Sequence, residues 1–333
     1  MTHALLQLLT RYLLLVVCVV LINFFLPRLL PGDSLNFSSG EGLDAAVPLS
    51  SEARANLSAY YHLDEPLLTQ LTMYLGDLAA GDLGVSISRS MPVSNLILDR
   101  LPWTLSLMVF SVVISAGVGT AVGMVAGWNP GAKRDRWLVS VPALFAAVPE
   151  FLIAIGLLLG GAVGLGCFPL FGGQTAFASY SGGVAGFLDR LIDILWHLTL
   201  PAATLVLAGT SAFVLVTRDM TAGLRHAPWL VTARGKGLGE RSIAVRHALP
   251  NIAPALLTYL GLRLGSVLGG ALVVERVFNV PGLGLLGFEA IGSRDYPVLQ
   301  ALFLLSGFGV LAAALTVEVS YLYLNAARQQ LRD

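Results

Sequence analysis

The sequence predicts an all-α, polytopic membrane protein with six transmembrane helices. Hydrophobic residues make up 56% of its 333 residues and charged residues only 12%, whereas soluble domains carry about 25% charged residues. The apolar residues gather in long runs, and many basic residues gather in the connections between these runs. Twenty basic and twenty acidic residues give a net charge of zero, so the chain is not predicted to bind nucleic acid.

Six stretches are long and apolar enough to cross a hydrocarbon core, which requires about 20 residues of helix. They cover residues 8–30, 101–128, 137–165, 197–217, 252–275 and 298–324. The first span is followed by Pro27 and Arg28 rather than by a small-residue cleavage site, so it is predicted to be an uncleaved anchor. Pro142 and Pro149 are predicted to kink the third span, because proline removes a backbone hydrogen-bond donor.

The basic residues predict the orientation, since short cytoplasmic loops are enriched in Lys and Arg. Loop 129–136 carries three basic residues and loop 218–251 carries six, whereas residues 31–100 carry three against nine acids. Both termini are therefore predicted to be cytoplasmic. The predicted organisation is an N-terminal transmembrane helix (1–30), a periplasmic loop (31–100) and a core of five transmembrane helices (101–333) that contains the cytoplasmic loop 218–251.

The long outer loop is predicted to contain short amphipathic helices. Apolar residues recur at helical spacing over residues 67–78, and residues 51–63 allow a second helix.

Cys18 and Cys167 both lie in apolar runs, which predicts buried free thiols rather than a disulfide or a zinc site. The five histidines are scattered along the chain, so no metal site is predicted.

The polar stretch TARGKGLGERSIAVRHALPN (232–251) differs from the apolar sequence around it. It contains five basic side chains and one acid, Glu240. Pro228 precedes a helix-compatible run, but glycines at 235, 237 and 239 each cost about 1 kcal/mol in a helix interior relative to alanine. Two interpretations stay open: a basic anchor on lipid headgroups, or a docking segment for a soluble protein.

Motifs along nearly the whole chain resemble those of ABC-importer permeases for dipeptides, oligopeptides and nickel. The polar stretch is similar to a pattern in which TARAKGL is followed by RHALRN. The other matching motifs are LLPGD (29–33), HLDEPL (62–67), GDLGVSI (81–87), RLPWTLSL (100–107), TRDM (217–220), GGALVVERVFNVPGLG (269–284) and RDYPVLQ (294–300). The third span departs from the family pattern, because it reads AAVPEFLIA and so places Glu150 after Pro149.

This resemblance implies a type I ABC importer permease (MetI-like) fold in the bacterial cytoplasmic membrane. It implies that a short helix of the cytoplasmic loop docks into a groove of an ATPase subunit. The residues that it places in this coupling role are Ala233, Arg234, Lys236, Gly237, Leu238, Leu249 and Pro250. Gly237 also suits the turn after such a helix, where left-handed backbone angles are common.

The resemblance further implies the partners. They are a second, homologous permease subunit, one or two ATPase subunits, and a periplasmic or lipid-anchored solute-binding protein. The chain contains no Gly-rich phosphate loop with the Gly-Lys-Ser/Thr ending. It is therefore expected to be no enzyme and to bind no cofactor itself, with ATP held by the partner subunits.

Charged residues inside the predicted spans are candidates for a solute pathway, because they are costly in a membrane and tend to face the bundle interior. Glu150, placed about 20 Å along the helix of the third span, could contact a cationic solute or pair with Arg263. Glu275 is expected to tie its helix to the FNVPGLG loop, and Glu318 to serve packing. Glycines at spacings of three and four in 117–127 and 261–271 predict close helix packing.

Several alternatives accompany the importer hypothesis. The cargo could be a peptide or related small solute, or a nickel chelate or opine-type metallophore. An ion-coupled secondary transporter is a second class, but it predicts internal repeats with broken helices, and none is evident in the sequence. An intramembrane enzyme is a third, but the ionisable groups within the spans lack nucleophile or metal-ligand partners.

Overall fold

A computed structural model describes residues 2–29, 65–180, 182–265, 271–293 and 295–330, and these residues are mostly helical. The helices are α1 (Thr2–Leu29), α2 (Leu67–Ala80), α3 (Val93–Trp128), α4 (Lys133–Ala147), α5 (Glu150–Leu157), α6 (Gly183–Gly223), α7 (Pro228–Gly235), α8 (Glu240–Ile243), α9 (Leu249–Gly265), α10 (Leu272–Phe278), α11 (Leu283–Gly292) and α12 (Tyr296–Gln330). Two π-helical stretches, Leu158–Gly164 and Ala244–Ala248, continue α5 and α8. The amphipathic helix predicted at 51–63 lies outside the described residues, whereas the one predicted at 67–78 is confirmed as α2.

Four helices within the described residues are long and apolar enough to cross a membrane. They are Leu6–Phe25 of α1, α3, α6, and Tyr296–Tyr321 of α12. The pair Lys133–Ala147 and Glu150–Gly164 provides a fifth span if its two bent halves count as one. Helix α9, in the fifth predicted span, has 17 residues and is followed by residues outside the description. The predicted count of six spans therefore stays a prediction.

Two spanning helices begin earlier than hydropathy predicts. Helix α3 begins at Val93 rather than at 101, and α6 begins at Gly183 rather than at 197. The added part of α6 carries Asp189, Arg190 and Asp193 among apolar residues. Hydropathy detects where an apolar helix meets polar surroundings, but helical hydrogen bonding continues past that point because charged residues are compatible with an exposed helix.

The third predicted span is broken rather than continuous. Helix α4 ends at Ala147, and the helical stretch Glu150–Gly164 that follows is bent by 97° relative to α4. The predicted kink at Pro149 is confirmed, since Pro149 stands between the two helices, whereas Pro142 is accommodated within α4. The estimate that places Glu150 about 20 Å along one helix is wrong, because Glu150 begins a new helix after the bend.

Both cysteines are exposed, so the prediction of buried thiols is wrong. Cys18 lies within a spanning helix whose outward surface is apolar, with Leu13, Leu14 and Val17 also exposed. In a membrane protein, an apolar neighbourhood in sequence does not imply burial against protein, because lipid solvates apolar side chains.

The chain divides into two compact units, residues 1–101 with 286–311 and residues 102–285 with 312–333. In the second unit, glycines four residues apart on α3 bring that helix against α6. A Cβ atom at Gly123 would lie 2.6 Å from both the Cβ atom of Thr217 and the backbone oxygen of Val214. Gly119 and Gly127 lie equally close to α6. The close packing predicted for 117–127 is confirmed.

In the first unit, Asp295 organises the segment that contains the GDLGVSI motif. Its buried carboxylate accepts hydrogen bonds from the Ser86 hydroxyl at 2.5 Å and from the Ser88 hydroxyl and backbone nitrogen at 2.6 and 3.0 Å. A single antiparallel bridge joins Val85 to Pro92 and closes the turn. The motifs GDLGVSI and RDYPVLQ therefore fold against each other although about 200 residues separate them.

Candidate functional site

The helix predicted in the polar segment is α7, and its sequence explains both of its ends. Pro228 occupies the first helical position, where its missing N–H costs nothing. The helix stops at Gly235, and Gly237 adopts a left-handed φ of +75°. The backbone nitrogens of Gly237 and Leu238 donate to Arg234 and Ala233 at 2.9 and 3.3 Å, which satisfies the last carbonyls. The predicted turn at Gly237 is confirmed.

One face of α7 is buried in a small apolar cluster. Leu230 is 4% exposed, Ala233 is 6% exposed and Ile243 of α8 is fully buried. Trp128 at the end of α3 and Trp229 pack against these three residues. The cluster fixes α7 to α8 and to the end of a spanning helix.

A hydrogen-bonded carboxylate strengthens this attachment. Glu240 accepts a hydrogen bond from Trp128 Nε1 at 2.8 Å and from Arg234 Nε and Nη2 at 2.9 and 3.2 Å. The guanidinium of Arg234, followed by the indole N–H of Trp128, holds the pKa of Glu240 below its usual range. Sequence reasoning missed Trp128, because nothing in the end of an apolar span indicates a partner 112 residues away.

An adjoining side of α7, which shares Trp229 and Ala233 with the buried cluster, borders an open cleft of about 330 Å³. Its lining residues are Trp229, Thr232, Ala233, Lys236, Leu238, His247 and Asn251. The ring centroids of Trp229 and His247, which both line it, lie 6.2 Å apart. The polar segment therefore offers both a surface fixed to the spanning helices and a concave surface that side chains of another protein could enter.

The predicted coupling residues divide among these surfaces. Ala233, Lys236 and Leu238 line the cleft, whereas Arg234 points to Glu240 and Gly237 forms the turn. Leu249 and Pro250 begin α9 and do not line the cleft. The structure thus brings together the residues of α7 and its turn, and it places the Leu-Pro pair of the motif at the start of the next helix.

A second contact orders the short loop between α3 and α4. Asp135 is 4% exposed and accepts hydrogen bonds from Arg218 Nε and Nη2 at 3.2 and 2.8 Å. It also accepts one from the backbone nitrogen of Gly131 at 2.7 Å. Arg218 belongs to the TRDM motif at the end of α6, so this motif fixes loop 129–132 to α6.

Two of the predicted pathway residues lie together. Glu150 and Arg263 line one cavity of about 60 Å³. Arg263 Nε donates to the Tyr259 hydroxyl at 3.0 Å, and its guanidinium lies 5.7 Å from the Tyr259 ring centre. Glu275 and Glu318 do not line this cavity.

Glu275 is fully buried and ties together three segments of the second unit. Its carboxylate accepts hydrogen bonds from Thr104 Oγ1 at 2.7 Å and from the backbone nitrogen of Leu285 at 3.0 Å. Thr104 Oγ1 in turn accepts one from the backbone nitrogen of Leu283 at 2.7 Å. A Cβ atom at Gly282 would overlap the Glu275 carboxyl group, so glycine is required there. The contacts agree with a tie between α10 and the FNVPGLG loop.

The long apolar helices and the polar segment fixed to their ends are features of a membrane-embedded transport subunit. The chain belongs to the family of binding-protein-dependent transport system inner membrane components, whose family model matches residues 119–330. The match contains α7, the residues that line its cleft, and Glu240 with its partners Trp128 and Arg234.

Curated relatives match almost the full length of the chain. A Brucella abortus (strain 2308) protein named as a peptide transport system permease is 33% identical and covers 96% of this chain and 97% of the relative. Oligopeptide transport system permease protein AppB of Bacillus subtilis (strain 168) is 30% identical over 91% of this chain and 92% of AppB. Glutathione transport system permease protein GsiC of Salmonella paratyphi A (strain ATCC 9150 / SARB42) is 32% identical over 93% of each chain.

Solved structures show the same fold. A chain of the MetNI methionine ABC transporter in an inward-facing conformation has a TM-score of 0.54 and 16% identity. The alignment covers 69% of this chain and 96% of that chain. The ABC-importer permease fold that the sequence predicts is therefore confirmed.

Proposed function

We propose that this chain is one of two permease subunits of an ATP-driven importer for peptides or related small solutes. The observation that carries the proposal is the arrangement of α7: one face is fixed to the end of a spanning helix, and an adjoining side borders an open cleft. Membership of the binding-protein-dependent transport family supports the proposal. The names of the relatives, which refer to peptides, oligopeptides and glutathione, support the solute class.

In this function α7 couples the ATPase to the membrane helices. When two ATPase subunits close around ATP, they displace the α7 helices that dock in their grooves. Because Trp128 and Glu240 join α7 to the end of α3, α3 moves with it as a rigid body. ATP and its hydrolysis belong to the partner subunits.

The remaining partners follow from the family resemblance, and their sides of the membrane follow from the predicted topology. The basic loops and both termini lie in the cytoplasm with the ATPases, and residues 31–100 face the periplasm. A solute-binding protein delivers the solute on that side. The solute passes between this subunit and a second, homologous permease subunit.

Substitution of Gly237 tests the coupling role. Gly237→Trp places a large side chain beside the cleft, and we expect uptake and ATPase co-purification to fall at least tenfold while membrane insertion persists. Gly81→Trp is a matched control, because Gly81 also has a left-handed φ, of +77°, and open space around its Cβ position. Normal uptake by Gly237→Trp would contradict the role of α7.

Purification of the chain with the products of its neighbouring genes tests the function as a whole. We expect a second permease and at least one ATPase in the complex, with ATP hydrolysis stimulated by a peptide-loaded binding protein. Uptake driven by an ion gradient, without ATP, would contradict the proposal and favour a secondary transporter.

A further inference from the structure

A small polar cavity lies among the spanning helices of the second unit. Its volume is about 60 Å³, and it is lined by Met108, Ser111, Val112, Ser115, Glu150, Leu205, Gly209, Phe213 and Arg263. Ser111 stands near the middle of α3, and Gly209 lies in the middle part of α6. The cavity is therefore at hydrocarbon depth, where polar groups are rare and costly.

The oxygen atoms around this cavity present hydrogen-bond acceptors. The hydroxyl of Ser111 donates to the backbone oxygen of Leu107 at 2.7 Å, and that of Ser115 donates to the backbone oxygen of Val206 at 3.5 Å. Each hydroxyl has one proton, which it already donates to the backbone, so only the lone pairs of its oxygen remain to accept a hydrogen bond from a ligand. The carboxylate of Glu150 adds two further acceptor atoms.

The two charged residues of the cavity differ in their contacts. Arg263 contacts Tyr259 through a hydrogen bond and through its ring face. Glu150 is partly buried, and its carboxylate accepts no hydrogen bond from the residues that the structure describes. An ionised carboxylate in such a position is costly unless water or a cation compensates it.

We propose that Glu150, together with Ser111 and Ser115, binds a positively charged nitrogen of a peptide-like solute during its passage. This inference rests on the proposed function, because it requires a peptide pathway beside these helices. The volume accommodates an ammonium group with a few water molecules but no whole peptide. Glu150 therefore contacts the end of the solute transiently and favours solutes with a free amino group.

An internal ion pair is the competing explanation. Glu150 and Arg263 line the same cavity, so the carboxylate of Glu150 could form an ion pair with Arg263 instead of binding a solute. The two explanations differ in what a charge exchange does. An internal pair tolerates exchange of its two partners, whereas an ammonium site requires the negative charge at position 150.

The first experiment measures uptake of trialanine by the complete transporter in proteoliposomes. We expect Glu150→Gln to lower uptake about tenfold, because a charge-assisted hydrogen bond is lost, and Glu150→Asp to restore part of it. Asp189→Asn, which neutralises an exposed acid of α6, is the control and should leave uptake unchanged. Wild-type uptake in Glu150→Gln, or in the exchange Glu150→Arg with Arg263→Glu, would overturn the inference.

The second experiment probes the cavity without relying on a transported peptide. Ser111→Cys is made in a chain whose Cys18 and Cys167 are replaced by alanine, and the thiol is treated during ATP turnover. We expect aminoethyl methanethiosulfonate, which is cationic, to react about tenfold faster than the anionic sulfonatoethyl reagent. Glu150→Gln should remove or reverse this preference, because the positively charged Arg263 lines the same cavity. Equal rates with Glu150 present, or no reaction with either reagent, would overturn the inference.

The outcomes separate this inference from the proposed function. A complex that assembles, hydrolyses ATP and imports trialanine, but shows no role for the charge of Glu150, contradicts the ammonium site alone. A wild-type chain that captures no ATPase contradicts the proposed function as well.

Discussion

The indole N–H of Trp128 donates to the carboxylate of Glu240 at 2.8 Å and joins the end of a spanning helix to a segment 112 residues later in the chain. The same carboxylate accepts two hydrogen bonds from Arg234 of α7. A force applied to α7 thus reaches α3 through side chains as well as through the backbone. This hydrogen bond adds to the apolar cluster that also fixes α7 to the end of α3.

Removal of the indole donor should weaken coupling more than assembly. Trp128→Phe keeps the aromatic ring in the apolar cluster but removes the hydrogen bond to Glu240. We expect three- to tenfold fewer solute molecules imported for each ATP hydrolysed, with normal ATPase co-purification. Trp137→Phe is the control, because Trp137 is 70% exposed and lies outside the cluster. Equal coupling ratios in the two variants would exclude a mechanical role for this hydrogen bond.

Acid should release the same contact. Arg234 and Trp128 hold the pKa of Glu240 below its usual value of 4.5. The contribution of the ionised Glu240 carboxylate to the stability of the folded state is therefore complete above pH 4.5, and it decreases as the pH falls through the lowered pKa. We expect the fluorescence of Trp128 to change with a midpoint below pH 4.5, after the signal of Glu240→Gln is subtracted. Arg234→Met should move the midpoint up. An unchanged midpoint in Arg234→Met would contradict the assigned cause.

Two glycines of α3 should respond to alanine with opposite signs. Gly123→Ala places a Cβ atom 2.6 Å from Thr217 on α6, and such overpacking costs about 1–3 kcal/mol of the free energy of unfolding. In Gly117→Ala the added Cβ atom lies in open space, and alanine is favoured over glycine in a helix by up to about 1 kcal/mol. Thermal unfolding of the two variants in detergent checks this. A stable Gly123→Ala protein would show that α3 and α6 pack less closely than described.

The sequence predicts the parts of this protein that depend on local composition. The apolar runs of α3 and α12 predict spans, the proline at 149 predicts a kink where the structure has a break, and Gly237 predicts a left-handed turn. The early start of α6 is missed, because hydropathy averages hide a helix that carries charges. The partners of Trp128 and Asp135 are missed for another reason. They depend on which helices become neighbours, and no local pattern of residues contains that information.

The buried carboxylate of Glu275 gives the last prediction. Its two oxygens accept from the Thr104 hydroxyl and from the backbone nitrogen of Leu285. In Glu275→Gln one oxygen becomes an NH₂ group that cannot accept, so one buried donor loses its partner at a cost of about 1–3 kcal/mol. Thr104→Ser keeps the hydroxyl and should cost less. Unfolding of Glu275→Gln at the wild-type temperature would show that the lost acceptor leaves the stability of the folded state unchanged. If transport nevertheless stops, Glu275 acts on the solute or on the movement of the helices rather than on stability.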